Sequence, residues 1–255
     1  MKRQMGAGRM DGVVKSAGRV LEIFEFFAHR HAPATVTEVA AALGFPLSST
    51  SVLLKSLLAL GYLEYAPRAR EYQPTIRFAV LGTWIFDRFF AEEGGIPRVM
   101  DALQAETGET IVLAMQHGEY VDYIRILQSI RPVRFHIKPG SRRPIFLPAA
   151  GKVLLAQQGE AAVVKLLRGI NARGTTPVAV APLLAELAQI RAQGYATSEA
   201  SVVPDTAMFA MALPVAPGHR PLALAVSGPL ARMRRSRASI LRLMRQRLAT
   251  LSGNP

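Results

Sequence analysis

Four short hydroxyl residues in a row, Ser48, Ser49, Thr50 and Ser51, open an apolar-periodic stretch directly behind Gly44-Phe45-Pro46. Hydroxyl side chains at a helix start can reach base edges and phosphate oxygens. The first-turn N–H groups and the helix dipole also favour a phosphate there. Ordinary N-capping by serine accounts for one of the four. Lys55 follows one turn on, and Arg68 and Arg70 flank a predicted hairpin tip at Pro67-Arg68-Ala69, placed to reach a nucleic-acid backbone or minor groove. Further along, Arg131, Arg134, Lys138, Arg142 and Arg143 fall in one acid-free segment. That segment reads either as an anion patch or as a solvated basic loop. Seven arginines between Arg232 and Arg247 surround an apolar face of Ile240, Leu241, Met244 and Leu248, and so line the wet side of a helix.

Other chemistries are excluded or unsupported. The 255 residues include no cysteine, so disulfides, thiolate catalysis and Cys-based zinc sites are out. The five histidines show no metal-ligand spacing. Gly151-Lys152 resembles the end of a phosphate loop, but the earlier glycine is missing and Val153 stands where Ser or Thr must bind magnesium. Asp122 with Arg125 and Glu119 with His117 sit on a predicted hairpin, and no nucleophile motif accompanies them. No catalytic residue, metal or cofactor is expected.

The net charge of +13 points to polyanions or small anions as partners. Residues 1–74 hold nine Lys and Arg against six Asp and Glu, a net +3, which leaves +10 beyond them. The excess is therefore not concentrated beside the hydroxyl cluster. No apolar stretch reaches the ~18 residues of a membrane span. Met1 to Gly12 is polar and Gly-rich, without the apolar region of a signal peptide. The expectation is a cytoplasmic chain, no membrane, and a disordered stretch over residues 1–12.

Helical periodicity runs from Lys15 to Ala28, with an apolar stripe broad enough to pack against two surfaces. A short helix is predicted over Thr37 to Leu43, with Thr37 as its cap and Gly44 as its stop. A second runs from Leu47 to Leu60, with Leu53, Leu54, Leu57, Leu58 and Leu60 facing inward. Strands are predicted at Tyr62–Tyr65 and Arg70–Gln73. This order is a winged helix-turn-helix in outline, over residues 13–74. A linker helix is predicted from Thr75 to Phe90, with Trp84, Phe86, Phe89 and Phe90 available to a second subunit. The linker region closes at Glu92-Glu93-Gly94-Gly95.

Residues 96–255 form the second predicted domain. It mixes helices (Ile96–Glu106, Ala149–Gln157, Ala161–Leu167, Pro182–Gln193, Arg234–Leu251) with strands. The strands are Thr110–Met115, Tyr120–Ile126, Val133–Ile137, Tyr195–Ser198, Met208–Val215 and Leu222–Ser227. The absence of regular βαβ alternation predicts α+β with a mainly antiparallel sheet.

Three stretches together resemble the IclR-type family of transcriptional regulators. They are Leu43 to Glu64, ending in Leu-Gly-Tyr-Leu; Pro139-Gly-Ser-Arg-Arg-Pro continuing to Ala149-Ala-Gly-Lys-Val-Leu-Leu-Ala156; and Gly194-Tyr-Ala followed by Leu222-Ala-Leu-Ala-Val-Ser-Gly-Pro229. The likeness spans about Lys15 to the end. It implies a winged-helix domain, a linker helix and a GAF-like effector domain with an antiparallel sheet flanked by helices. It further implies operator DNA and a small organic or aromatic effector as partners, in a homodimer or homotetramer. The implied effector pocket falls on Ala149, Ala150, Met208 and Ser227, with Ser198, Met211 and Ala225 nearby. Departures from the family pattern are Val52 and Leu47 where basic residues are usual, Ser198 where an acid is common, Ala225 where a hydroxyl is common, and Ser201 and Asp205 in place of the usual Glu and Gly. They imply a more apolar pocket and altered operator preference. Competing readings are a regulator whose second domain only oligomerises, a non-specific basic DNA-binding protein, and an enzyme with an accessory helix-turn-helix.

Overall fold

The computed structural model of the chain describes residues 14–82, 95–138, 140–173, 177–214 and 220–251. The chain divides into two compact units, Met1–Ala91 and Glu92–Pro255.

In the first unit, α1 (Lys15–Arg30) turns Ile23, Phe24 and Phe27 inward. They meet Val39 of α2 (Val36–Leu43), Leu54 and Leu57 of α3 (Leu47–Ala59), Leu63 of β2 (Leu63–Ala66) and Tyr72 of β3 (Glu71–Pro74). A two-residue strand, β1 (Ala34–Thr35), adds to β3 and gives the antiparallel order β1-β3-β2. The cap of α2 is Thr35, two residues ahead of the predicted Thr37. Thr35 Oγ1 accepts from the Glu38 N–H while Glu38 Oε2 accepts from the Thr35 N–H at 2.8 Å. Only Thr35 has a carboxylate three residues on, as a reciprocal capping box requires; Thr37 would have Ala40. Gly44 ends α2 in the left-handed region at φ +66°, as predicted. The chain then bends by 119° between α2 and α3. Leu60, predicted to face inward, is 58% exposed, because α3 stops at Ala59 and Leu60 is its C-cap. A further helix, α4, is described over residues 76–82. The readings placed on Trp84, Phe86, Phe89, Phe90 and Glu92 to Gly94 lie outside the described residues, as does the stretch 1–12.

The second unit is α+β, as the sequence predicts. Six antiparallel strands run in the order β6-β5-β4-β9-β8-β7. They are β4 (Thr110–His117), β5 (Tyr120–Leu127), β6 (Arg142–Pro144), β7 (Ala196–Glu199), β8 (Thr206–Ala212) and β9 (Leu222–Pro229). Helix α5 (Ile96–Thr107) packs on β4, with α10 (Arg237–Ala249) against it. Between the sheet and α8 (Val180–Gln193) lies α6 (Ala149–Ala156), and α7 (Glu160–Arg173) completes that layer. Strand alternation sorts the faces. Val112, Ala114, Met208, Ala210, Ala223 and Ala225 share the α6 core. The alanines let α6 come close, and Gly151 carries this furthest, since a Cβ there would run into the Ile145 backbone carbonyl. Gly151 is thus a packing glycine, and Lys152 Nζ pairs with Glu186 Oε1 at 2.7 Å.

Two predicted elements differ. Val133–Ile137 is not a strand; the sheet edge is β6, paired to β5. Side chains supply bonds to the backbone of residues 128–138 that a strand ladder would otherwise make. The Gln128 amide bonds both backbone groups of Ile137, Thr110 Oγ1 accepts from the Ser129 N–H at 3.1 Å, and Arg232 Nη2 donates to Val133 O at 3.1 Å. The single helix predicted over Arg234–Leu251 is two, α9 (Leu230–Arg235) and α10, broken at Ser236. Arg131 and Arg232 are not simply solvated. They converge on Glu109, which is 2% exposed: Arg232 holds it with two nitrogens and Arg131 Nε lies 3.6 Å away. Buried carboxylates are held this way by paired cations, and a Cβ on Gly228 would collide with this one. The connection between β8 and β9 falls largely outside the described residues.

Candidate functional site

The first unit displays an unpaired polar face. Helix α3 begins behind Pro46 with no side-chain cap, and its ladder starts at Thr50, whose N–H reaches Pro46 O at 3.0 Å. The N–H groups of Leu47, Ser48 and Ser49 precede that ladder. Ser48, Val52 and Lys55 are exposed and Ser51 is half-exposed, at the spacing of one helix face. Val52 is 64% exposed. Thr50 departs from the sequence reading. It is 0% exposed, and its Oγ1 donates to Pro46 O at 3.0 Å, so it holds the turn and cannot reach DNA. Ser49 Oγ donates to the same carbonyl at 3.0 Å. Arg68 and Arg70 are exposed at the hairpin tip. Arg70, predicted to start a strand, instead closes the turn at φ +58°, its N–H donating to Ala66 O at 2.8 Å.

The second unit contains a cavity of about 130 Å³. Strand neighbours supply its base: Tyr123 from β5, Ser198 from β7, Met208 from β8 and Ser227 from β9. Phe135, His136 and Ile137 of the 128–138 loop form one wall, Ser201, Val202 and Val203 another, and Arg143 and Pro148 complete it. Ala200 at φ +49° and Asp205 at φ +56° bracket the second wall in left-handed backbone. That conformation favours glycine, which is what the family pattern has at Asp205.

Of the predicted pocket residues, Ser198, Met208 and Ser227 line the cavity. Ala149, Ala150 and Ala225 do not; each is fully buried in the α6 core beside it. Met211 is also misplaced: alternation along β8 sends it, with Phe209, to the opposite sheet face. Ser198 Oγ accepts the Ala149 N–H at 3.0 Å and so caps α6. The Ser227 hydroxyl donates to Ala207 O at 3.2 Å.

The sequence reading missed Tyr123, and it counted Arg143 in a segment open as either an anion patch or a solvated basic loop. The available signal for Tyr123 was its alternation with the buried Val121 on β5. Tyr123 is 3% exposed, and among the described residues its hydroxyl reaches only Met208 Sδ, at 4.0 Å. Burial pushes its phenol up to about 12, with the Arg143 guanidinium pulling weakly the other way. It therefore remains a neutral donor at ordinary pH. Among the described residues, no group of three or more His, Cys, Asp or Glu could hold a metal, and no single helix is long and apolar enough to cross a membrane.

The model of the bacterial transcriptional regulator IclR C-terminal domain matches residues 96–252, and that of the IclR helix-turn-helix domain matches residues 16–67. The HTH-type transcriptional regulator XynR of Escherichia coli K12 is 28% identical over 187 residues, covering 72% of this chain and 74% of its own length. The HTH-type transcriptional regulator BhcR of Paracoccus denitrificans is 27% identical over 243 residues, covering 94% of this chain and 86% of its own. The solved structure of an IclR homologue from Microbacterium hydrocarbonoxydans, complexed with 4-hydroxybenzoate, matches with a TM-score of 0.71 at 17% identity, over 92% of this chain and 97% of that one. At that identity the likeness is one of fold.

Proposed function

The chain belongs to the IclR family of bacterial transcriptional regulators, and from that premise we propose that it reads a specific operator duplex through α3 and the β2–β3 wing, with an affinity set by a small organic or aromatic acid in the cavity. The observation that carries the reading is the outer face of α3. Short hydroxyls, a lysine and uncapped N–H groups lie exposed behind a 119° turn, with two arginines on the adjoining wing. Ser48, Ser49 and Ser51 approach bases and phosphates, Lys55 a phosphate, and Arg68 and Arg70 the backbone or minor groove. Val52 and Leu47, exposed where relatives carry cations, are offered to thymine methyl groups.

The cavity is the effector site, and Ser198, Met208 and Ser227 contribute to it. An effector changes DNA affinity only by preferring one arrangement of the DNA-reading units over another. That requires at least a homodimer, with half-sites one helical turn or a multiple apart. The protein acts in the cytoplasm, where its DNA lies. The small polar complement that 4-hydroxybenzoate offers in the Microbacterium homologue suits a cavity of apolar walls with a few hydroxyls.

The test is fluorescence anisotropy at fixed near-physiological salt, using DNA from upstream of the protein's own gene and excess random duplex. Binding that outlasts the competitor by ~10³-fold or more is expected. Binding abolished by the competitor reduces the protein to a non-specific DNA binder. Addition of aromatic acids in the same assay should shift the affinity; if no acid does so, the second domain serves assembly alone.

A further inference from the structure

We propose that Tyr123 and Arg143 hold the charged head of the effector, a carboxylate on a compact apolar body. The inference rests on the reading of the cavity as an effector site and adds where in it the charge goes.

Buried hydroxyls normally find an acceptor. The Tyr123 O–H has only a thioether sulfur at 4.0 Å, a weak acceptor, and it faces the cavity. Arg143 lines the same cavity. Its one hydrogen bond, Nη1 to Arg142 O at 2.9 Å, leaves most of its donors over, and it makes no ion pair among the described residues. The family-motif arginine next to it, Arg142, is already engaged with Asp122 at 2.7 Å. Among the described residues, no Asp or Glu lines the cavity. A phenol donor and an unpaired guanidinium on one wall, with no negative charge opposite, form a receptor for an anion that accepts hydrogen bonds.

Three N–H groups at the start of α6 are engaged: Ser198 Oγ takes that of Ala149, and those of Gly151 and Lys152 go to Pro148 O at 3.0 and 3.1 Å. The walls away from Arg143 carry Phe135, Ile137, Val202 and Val203. They accept a ring or short alkyl body, and His136 stands between Phe135 and Ile137.

The experiment uses the full-length protein in isothermal titration with benzoate, 4-hydroxybenzoate and cyclohexanecarboxylate, each against its neutral amide. Wild type should bind at least one acid about tenfold or more tightly than its amide. Tyr123→Phe and Arg143→Gln should each weaken that acid about tenfold or more, the size of a hydrogen bond to a charged group. Without ligand, Tyr123→Phe should melt at the wild-type temperature or above it, because it removes a buried hydroxyl that lacks a good acceptor; a merely structural Tyr123 would lower it. Equal affinity for acid and amide in wild type, or an acid preference that survives in both variants, overturns the proposal while leaving the cavity an effector site. Silence of the whole panel, on protein that still binds its operator, overturns the effector reading of the cavity and this proposal with it.

Discussion

Helices α3 and α6 both start directly behind a proline, Pro46 and Pro148, and their surroundings could hardly differ more. The first turn of α3 carries no cap and presents Ser48 to solvent. The first turn of α6 is capped by a hydroxyl from a neighbouring strand and buried on every side. One local motif therefore serves two ends. Left open, the N–H groups and positive dipole end of a helix are an anion receptor. At α6, Ser198 takes one of these groups and the helix start packs into the core.

The largest effect that tests this contrast comes from charge at the open start. Ser48→Asp should lower operator affinity by about two orders of magnitude, because a carboxylate then meets phosphates. The same change should leave thermal stability level or raise it by about 0.3–1 kcal/mol through the helix dipole. Parallel anisotropy and melting curves check both. If affinity survives, the α3 start does not face DNA. Next comes Gly151→Ala at the closed start, where the added methyl meets the Ile145 carbonyl. A loss of about 3 kcal/mol in urea unfolding is expected, and a neutral result would mean that α6 has room to slide. Ser198→Ala should cost about 1–2 kcal/mol by removing the cap and leaving the Ala149 N–H buried without its partner. The smallest effect belongs to Thr50→Val, worth about 1 kcal/mol in stability for the lost bond to Pro46. Operator affinity should stay within about twofold, because a fully buried residue reads no base. A large loss of affinity there would restore Thr50 to the reading face.

The order of elements was legible in the sequence because periodicity reports burial, and most elements here are buried on one face. The helix-turn-helix was clearest, since Gly44 needs its left-handed backbone and Pro46 cannot continue α2. Local rules failed where the deciding partner was distant or context-specific. Thr35 is the cap because Glu38 answers it. The 128–138 segment has strand-like composition, yet Gln128 and Arg232 supply backbone bonds in place of a ladder. On the proposed reading face of α3, the sequence could not tell Thr50, rotated inward, from the exposed Ser48. Of the residues expected at the pocket, Ser198, Met208 and Ser227 line the cavity and Ala149, Ala150, Ala225 and Met211 do not, because a one-residue step changes the face or the depth. Tyr123 and Arg143 lie on strands 20 residues apart along the chain that meet only through the β5–β6 pairing.

The loop wall of the cavity has a consequence for lineage. Phe135 to Ile137 belong to no ladder, and the loop is tied down by Gln128, Ser129 and the reach of Arg232 to Val133. Selection can rewrite or resize the residues between those anchors without shifting the register of any strand. Duplicated copies of the gene would then keep one DNA address while acquiring different chemical triggers. A single loop, held at its feet and otherwise unconstrained, is where such a regulator would learn a new signal.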